Sequence, residues 1–163
     1  FMEDPPKKFY RLSLGKEVRL RYAFVITCKH IVKDTNGEIS ELRCEYNPKT
    51  YSGQNPEGRK VKGIIHWVSR HDSTPLEIRL FDRLFEVPSP GSENDFRKVI
   101  NPNSLEIKKE SLGEKFLSFP ESKTFQFERL GYFTLDEKDS KLGKPVYNRT
   151  VTMRDSWLKK NPK

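Results

Sequence analysis

Two short stretches hold the side chains best suited to chemistry. EVRLRYAFVIT, residues 17–27, carries Arg19 and Arg21; FQFERLGYF, residues 125–133, carries Gln126 and Arg129 among four aromatic residues. A guanidinium donates two hydrogen bonds at once to a phosphate or a guanine edge, and a Gln amide pairs with a base edge. Aromatic neighbours supply faces on which unpaired bases stack. Singly, each residue has a plainer reading, the arginines as the wet face of a half-exposed strand. The combination points toward recognition of bases.

Reaction chemistry has less to draw on. The chain contains no P-loop, no GxGxxG after a strand, no HExxH and no GxSxG. His30, His66 and His71 lack the spacing of metal ligands, and His66 beside Trp67 reads as a hydrogen-bonded structural histidine. No catalytic residue and no metal ligand is assigned. Glu128 would need a second group close by to act as a general base, so an ion pair or sheet edge is its expected place. Cys28 and Cys44, without CxxC spacing, read as small core residues in a reducing compartment. Asn148 in NRT matches a glycosylation sequon, with nothing else pointing to secretion.

Charge is more informative. The formal net charge of +8 gathers near the two ends: residues 5–30 carry seven Lys or Arg against one Glu, and residues 144–163 carry six against one Asp. The middle is nearly neutral. If the ends meet after folding they form one positive face, for which a polyanion, RNA or DNA first, is the fitting partner. No apolar run approaches the roughly 20 residues that span a bilayer, and no signal pattern opens the chain. A soluble, cytoplasmic protein without a membrane partner is expected.

The elements that must hold these residues read as strands. In 17–27, Val18, Leu20, Tyr22, Phe24 and Ile26 alternate with Glu17, Arg19, Arg21, Ala23 and Val25, which predicts one strand with both arginines on a single face, ~7 Å apart. Asn36-Gly37 signals a hairpin. Residues 59–69 read as a strand in which Gly63 marks a bulge or a close backbone approach. Residues 76–85 are short and apolar, and 92–100 suggest a brief helix capped by Ser92. Strands return at 103–109, 123–136 and 144–157, the last with Tyr147, Arg149, Val151 and Met153 on one face. Many short strands with turn signals predict an all-β chain of antiparallel barrels or a sandwich, in one domain or two small ones.

Five blocks, GKEVRLRYAFVI, GRKVKGIIHWVS, EIRLFDRLF, FQFERLGYF and KPVYNRTVTMRDSW, stand in the order found in the C-terminal anticodon-binding region of glutaminyl-tRNA synthetases, and the chain resembles that region from about Lys8 to Trp157. The resemblance implies two antiparallel β-barrels: a distal one over residues 1–87, and the C-terminal part of a proximal one over 88–163, whose first part would precede Phe1. It implies a fragment without the catalytic domain, reading the anticodon of tRNA(Gln) as a monomer, while the parent enzyme joins glutamine to tRNA with ATP and magnesium. By the same resemblance Arg21 meets the first anticodon base with Arg19 in support, Gln126 and Arg129 the central uridine, and Arg11 the third base, guanine. Arg154 and Ser156 match contacts to the tRNA backbone. Tyr10 departs from the pattern, since many relatives have Lys there; tyrosine stacks on a base but brings no charge. Phe125 and Phe127 would anchor their strand so that Gln126 points out from the other face, and a bulge or strand end near Gly131 would have to bring Arg129 round to it. The eukaryotic-type glutamyl-tRNA synthetase barrel is the nearest competitor, and a protein-docking barrel with no RNA role is the rival from another class.

Overall fold

In the computed structural model the described residues are 1–55, 58, 60–118 and 120–153. They form nine strands in two sheets, joined by turns and short 3-10 segments. The chain divides into two compact units, Phe1–Trp67 and Val68–Lys163. The boundary read from sequence at residue 87 therefore falls inside the second unit. The reason is pairing: the strand at 73–81 bonds to partners later in the chain and to none before it.

The first unit holds β1 (Glu17–Leu20), β2 (Val25–Lys33), β3 (Ile39–Asn47) and β4 (Ile64–Ile65), in the order β3-β2-β1-β4. Val18, Cys28 and Leu12 form its buried centre, with Ile26, Leu42 and Ile65 packed against them. Burying such side chains is worth about 1.5–3 kcal/mol each. The Asn36-Gly37 signal is realised as the β2–β3 hairpin, with Gly37 at φ +82°. Asp34 organises that turn by accepting from the Asn36 and Glu38 N–H groups. Cys28 and Cys44 face each other across β2 and β3 as free thiols; Cys28 is a core residue as expected, whereas Cys44 is exposed because β3 is an edge strand.

The second unit holds β5 (Ser73–Phe81), β6 (Leu105–Glu114), β7 (Thr124–Phe127), β8 (Gly131–Leu135) and β9 (Val146–Val151), in the order β6-β5-β9-β8-β7. Leu76, Leu117, Phe133 and Tyr147 form its core. Phe127 stacks on Phe133 at 4.5 Å, and Phe125 meets Tyr147 edge-on at 6.1 Å. The Tyr147 hydroxyl, buried with its ring, donates to the Leu117 carbonyl at 3.2 Å, which satisfies its polar end.

The all-β reading holds, with three departures. First, β1 pairs with β4 and β5 with β9 in parallel. Among the described residues both sheets are linear, with edges at β3, β4, β6 and β7 rather than closed ladders. Second, 17–27 is a hairpin and not one strand. Leu20 N–H donates to the Phe24 carbonyl and Ala23 N–H to the Leu20 carbonyl, both at 2.9 Å, while Tyr22 takes φ +58°. Third, among the described residues of 59–69 only Ile64 and Ile65 are strand, and 92–100 holds the 3-10 segment Phe96–Val99, capped by Asp95 instead of Ser92.

Candidate nucleic-acid interface

In the first unit, the hairpin turn sets Arg21 apart from Arg19. Arg21 lies past the end of β1, and its backbone is held from two sides: its N–H donates to the Ile65 carbonyl at 3.0 Å, and the Trp67 indole N–H donates to its carbonyl at 3.0 Å. The guanidinium carbon stands 4.9 Å from the centre of the Tyr22 ring, which is 73% exposed. A cation over an aromatic face keeps its donors in one orientation. His66 is exposed, and the bond that fixes this segment is made by Trp67.

Arg19 does different work. One of its terminal nitrogens donates to the carbonyls of Ala23 (3.3 Å) and Thr50 (2.6 Å), and the other to Gln54 (2.9 Å). The Thr50 hydroxyl donates to the Asn47 carbonyl and accepts from Val25 N–H. Arg19 thus binds the polar 48–54 segment to the β1–β2 turn. The two arginines do not project side by side; one clamps, the other presents.

Arg11 is exposed, at the edge of a segment whose next residues, Leu12 and Ser13, are buried. Gly63 sets that segment's position: a Cβ there would lie 2.5 Å from the Tyr10 carbonyl and 3.0 Å from Val18. The close approach read from Gly63 is present. Lys62, distant in sequence, places its ammonium 5.8 Å from the centre of the Tyr10 ring.

In the second unit, β7 alternates as its sequence suggests: Phe125 and Phe127 pack on the core and Gln126 is exposed. The strand ends at Phe127, where Leu130 N–H donates to the Phe127 carbonyl at 2.9 Å. Arg129 sits at φ +65° in this turn, and Gly131 follows at φ +143°. The turn supplies the departure from alternation that Arg129 required. Arg129 lines a cleft of about 970 Å³ that Met153 also lines, and the Gln126 amide reaches the Met153 sulfur at 3.7 Å. Met153 thus meets Gln126 and also lines the cleft that Arg129 lines. Arg154 and Ser156 lie outside the described residues.

Other candidates for chemistry are spoken for. Asn148, the sequon residue, is part-buried and donates to Asp136 at 2.8 Å. Among the described residues no group of three or more His, Cys, Asp or Glu could hold a metal ion, and no helix is long and apolar enough to cross a membrane. Sequence reasoning missed Trp67, Thr50, Lys62 and Arg149, the last of which also lines the cleft. For Arg149 a signal existed, since alternation puts it on the face of buried Tyr147.

In the first unit Arg21 stands beside an exposed ring, and in the second the exposed Gln126 and Arg129 stand near a cleft with apolar walls, groups suited to binding. Two family models described as tRNA synthetases class I (E and Q), anti-codon binding domain, match residues 2–47 and 64–136. The chain belongs to this family of anticodon-binding domains. It is 51% identical over 159 residues to glutamine–tRNA ligases of Escherichia coli O7:K1, Escherichia coli O1:K1 and Shigella boydii serotype 18. Each match covers 98% of this chain and 29% of the relative, so the chain spans less than a third of those proteins' length.

Proposed function

We propose that the chain reads the anticodon of tRNA(Gln) within a glutaminyl-tRNA synthetase, a parent enzyme that attaches glutamine to its tRNA using ATP and magnesium. In this reading Arg21 addresses the first anticodon base, with Arg19 supporting it by holding the turn. Gln126 and Arg129 address the central base, and Arg11 the third, aided by Tyr10 and Lys62. Arg154 and Ser156 contact the RNA backbone. A single tRNA engages one chain, which works in the cytoplasm.

The observation that carries the proposal is Arg21: its backbone is pinned on both sides while its guanidinium stands on an exposed ring. Wrong bases would be rejected because they leave fixed donors unpaired. Arg21→Ala and Gln126→Ala are each expected to cost about 1–3 kcal/mol of discrimination at one anticodon position. Binding to RNA hairpins that differ by one anticodon base measures this. Equal losses for every anticodon would contradict the assignment, and no anticodon preference in the unaltered chain would favour a barrel that docks proteins.

A further inference from the structure

β9 brings Arg149 to an unusual place. Tyr147, two residues earlier on the same face, is fully buried, and Arg149 lies between Leu80 of β5 and Phe133 of β8. An apolar side chain would suit that position. The guanidinium is instead half-buried, its Nε is shut away from solvent with no acceptor, and among the described residues it makes no ion pair or hydrogen bond. A part-desolvated cation with a buried, unsatisfied N–H lowers stability. Such a group marks a surface made for something the chain does not itself contain.

The placement is enforced. A Cβ on Gly131 would strike the Val151 carbonyl and lie 3.2 Å from the Arg149 Cδ. The 127–131 turn thus passes directly over the arginine stem, which holds the head at the cleft that Arg129 also lines. Among the described lining residues Asp82 and Glu106 accompany the two guanidinium groups, Glu106 being paired with Lys108 as well, and Leu80, Phe81, Leu130 and Met153 form apolar walls. Described residues that mix both charge signs with apolar walls offer less to a phosphodiester than a run of cations would. They suit an uncharged flat ring whose edge carries carbonyl acceptors beside N–H donors, which is the edge of uracil or guanine.

We infer that Arg149 reads a base: its outer nitrogens donate to a carbonyl oxygen of an unstacked keto nucleobase seated in this cleft. The inference rests on the proposed anticodon reading and adds a residue to it. The test uses the 163-residue chain with anticodon-loop RNA hairpins carrying each of the four bases at the position where Gln126→Ala loses discrimination. Arg149→Gln should weaken the keto-base hairpins roughly tenfold or more, with the adenine and cytosine hairpins little changed and the salt slope preserved. Arg149→Lys keeps the charge and the stem, and it should fail to restore discrimination because an ammonium cannot pair two donors with one edge. If Arg149→Gln does not fold, the Lys variant alone decides. Uniform weakening of all four hairpins with a shallower salt slope would make Arg149 a phosphate-binding residue and overturn the inference. Unchanged binding, or full rescue by lysine, would overturn it too. If the unaltered chain shows no anticodon preference, the underlying function fails; if it does and Arg149 variants match it, only this inference fails.

Discussion

Trp67 fixes how sharply Arg21 is aimed. Its indole N–H is the donor that caps the Arg21 carbonyl, and Trp67→Phe keeps most of the ring while deleting that donor. Removing this hydrogen bond is expected to cost about 1 kcal/mol of stability. First-base discrimination should fall by more than affinity for RNA in general, as hairpin binding with swapped first bases would reveal. Single residues were unevenly legible. The types of Arg21, Gln126 and Arg129 announced hydrogen-bond recognition, because few other side chains offer paired donors. Arg19 looked equivalent to Arg21, and only its three carbonyl partners, two of them more than thirty residues away, distinguish a clamp from a reader. Lys62 was invisible for the same reason, since its partner Tyr10 lies across the fold.

At the scale of elements, alternation located strands well where turn chemistry was explicit, as at Asn36-Gly37, and failed where it was not. Leu20–Ala23 contains no Gly, Pro, Asn or Asp, so nothing in it warned that Tyr22 takes a left-handed conformation. Residues 59–69 carry strand-like composition, yet just two of those described find a ladder partner, because pairing depends on β1 having a free edge. In the second unit Asp136, one residue past β8, joins three strands. It accepts from Asn148 of β9 at 2.8 Å, from the Lys138 and Asp139 N–H groups, and from Arg79 of β5 at 3.4 Å. The Asn148 bond first, then those backbone donors and Arg79, hold its carboxyl below the usual carboxylate range. A depressed folded-state value means that its contribution is fully present above the ordinary aspartate pKa of about 3.9 and fades as pH falls through the lower value. Asp136→Asn should therefore be less stable than the unaltered chain at neutral pH, and the gap should close in strong acid; thermal melts across that range would show it.

For the molecule as a whole, the +8 charge makes salt a diagnostic. Affinity for any RNA hairpin should fall with rising salt. Replacing Lys159 and Lys160 by Ala should weaken all hairpins alike, reducing the slope by roughly one unit for each phosphate no longer neutralised. A salt titration of that double variant separates general attraction from the base-specific losses argued for Arg21, Gln126 and Arg149. The all-β class was plain from composition, while the parallel joins between β1 and β4 and between β5 and β9 were not, because local pattern carries no strand direction. The second join has a temporal side. β9 lies between β5 and β8, so the five-stranded sheet lacks its middle until residues 146–151 arrive. During synthesis, β5 must wait more than sixty residues for its parallel neighbour, a separation that slows folding and leaves bare strand edges on the nascent chain. On the ribosome this unit would stand as two separate sets of strands, joined only once residues 146–151 have emerged from the exit tunnel.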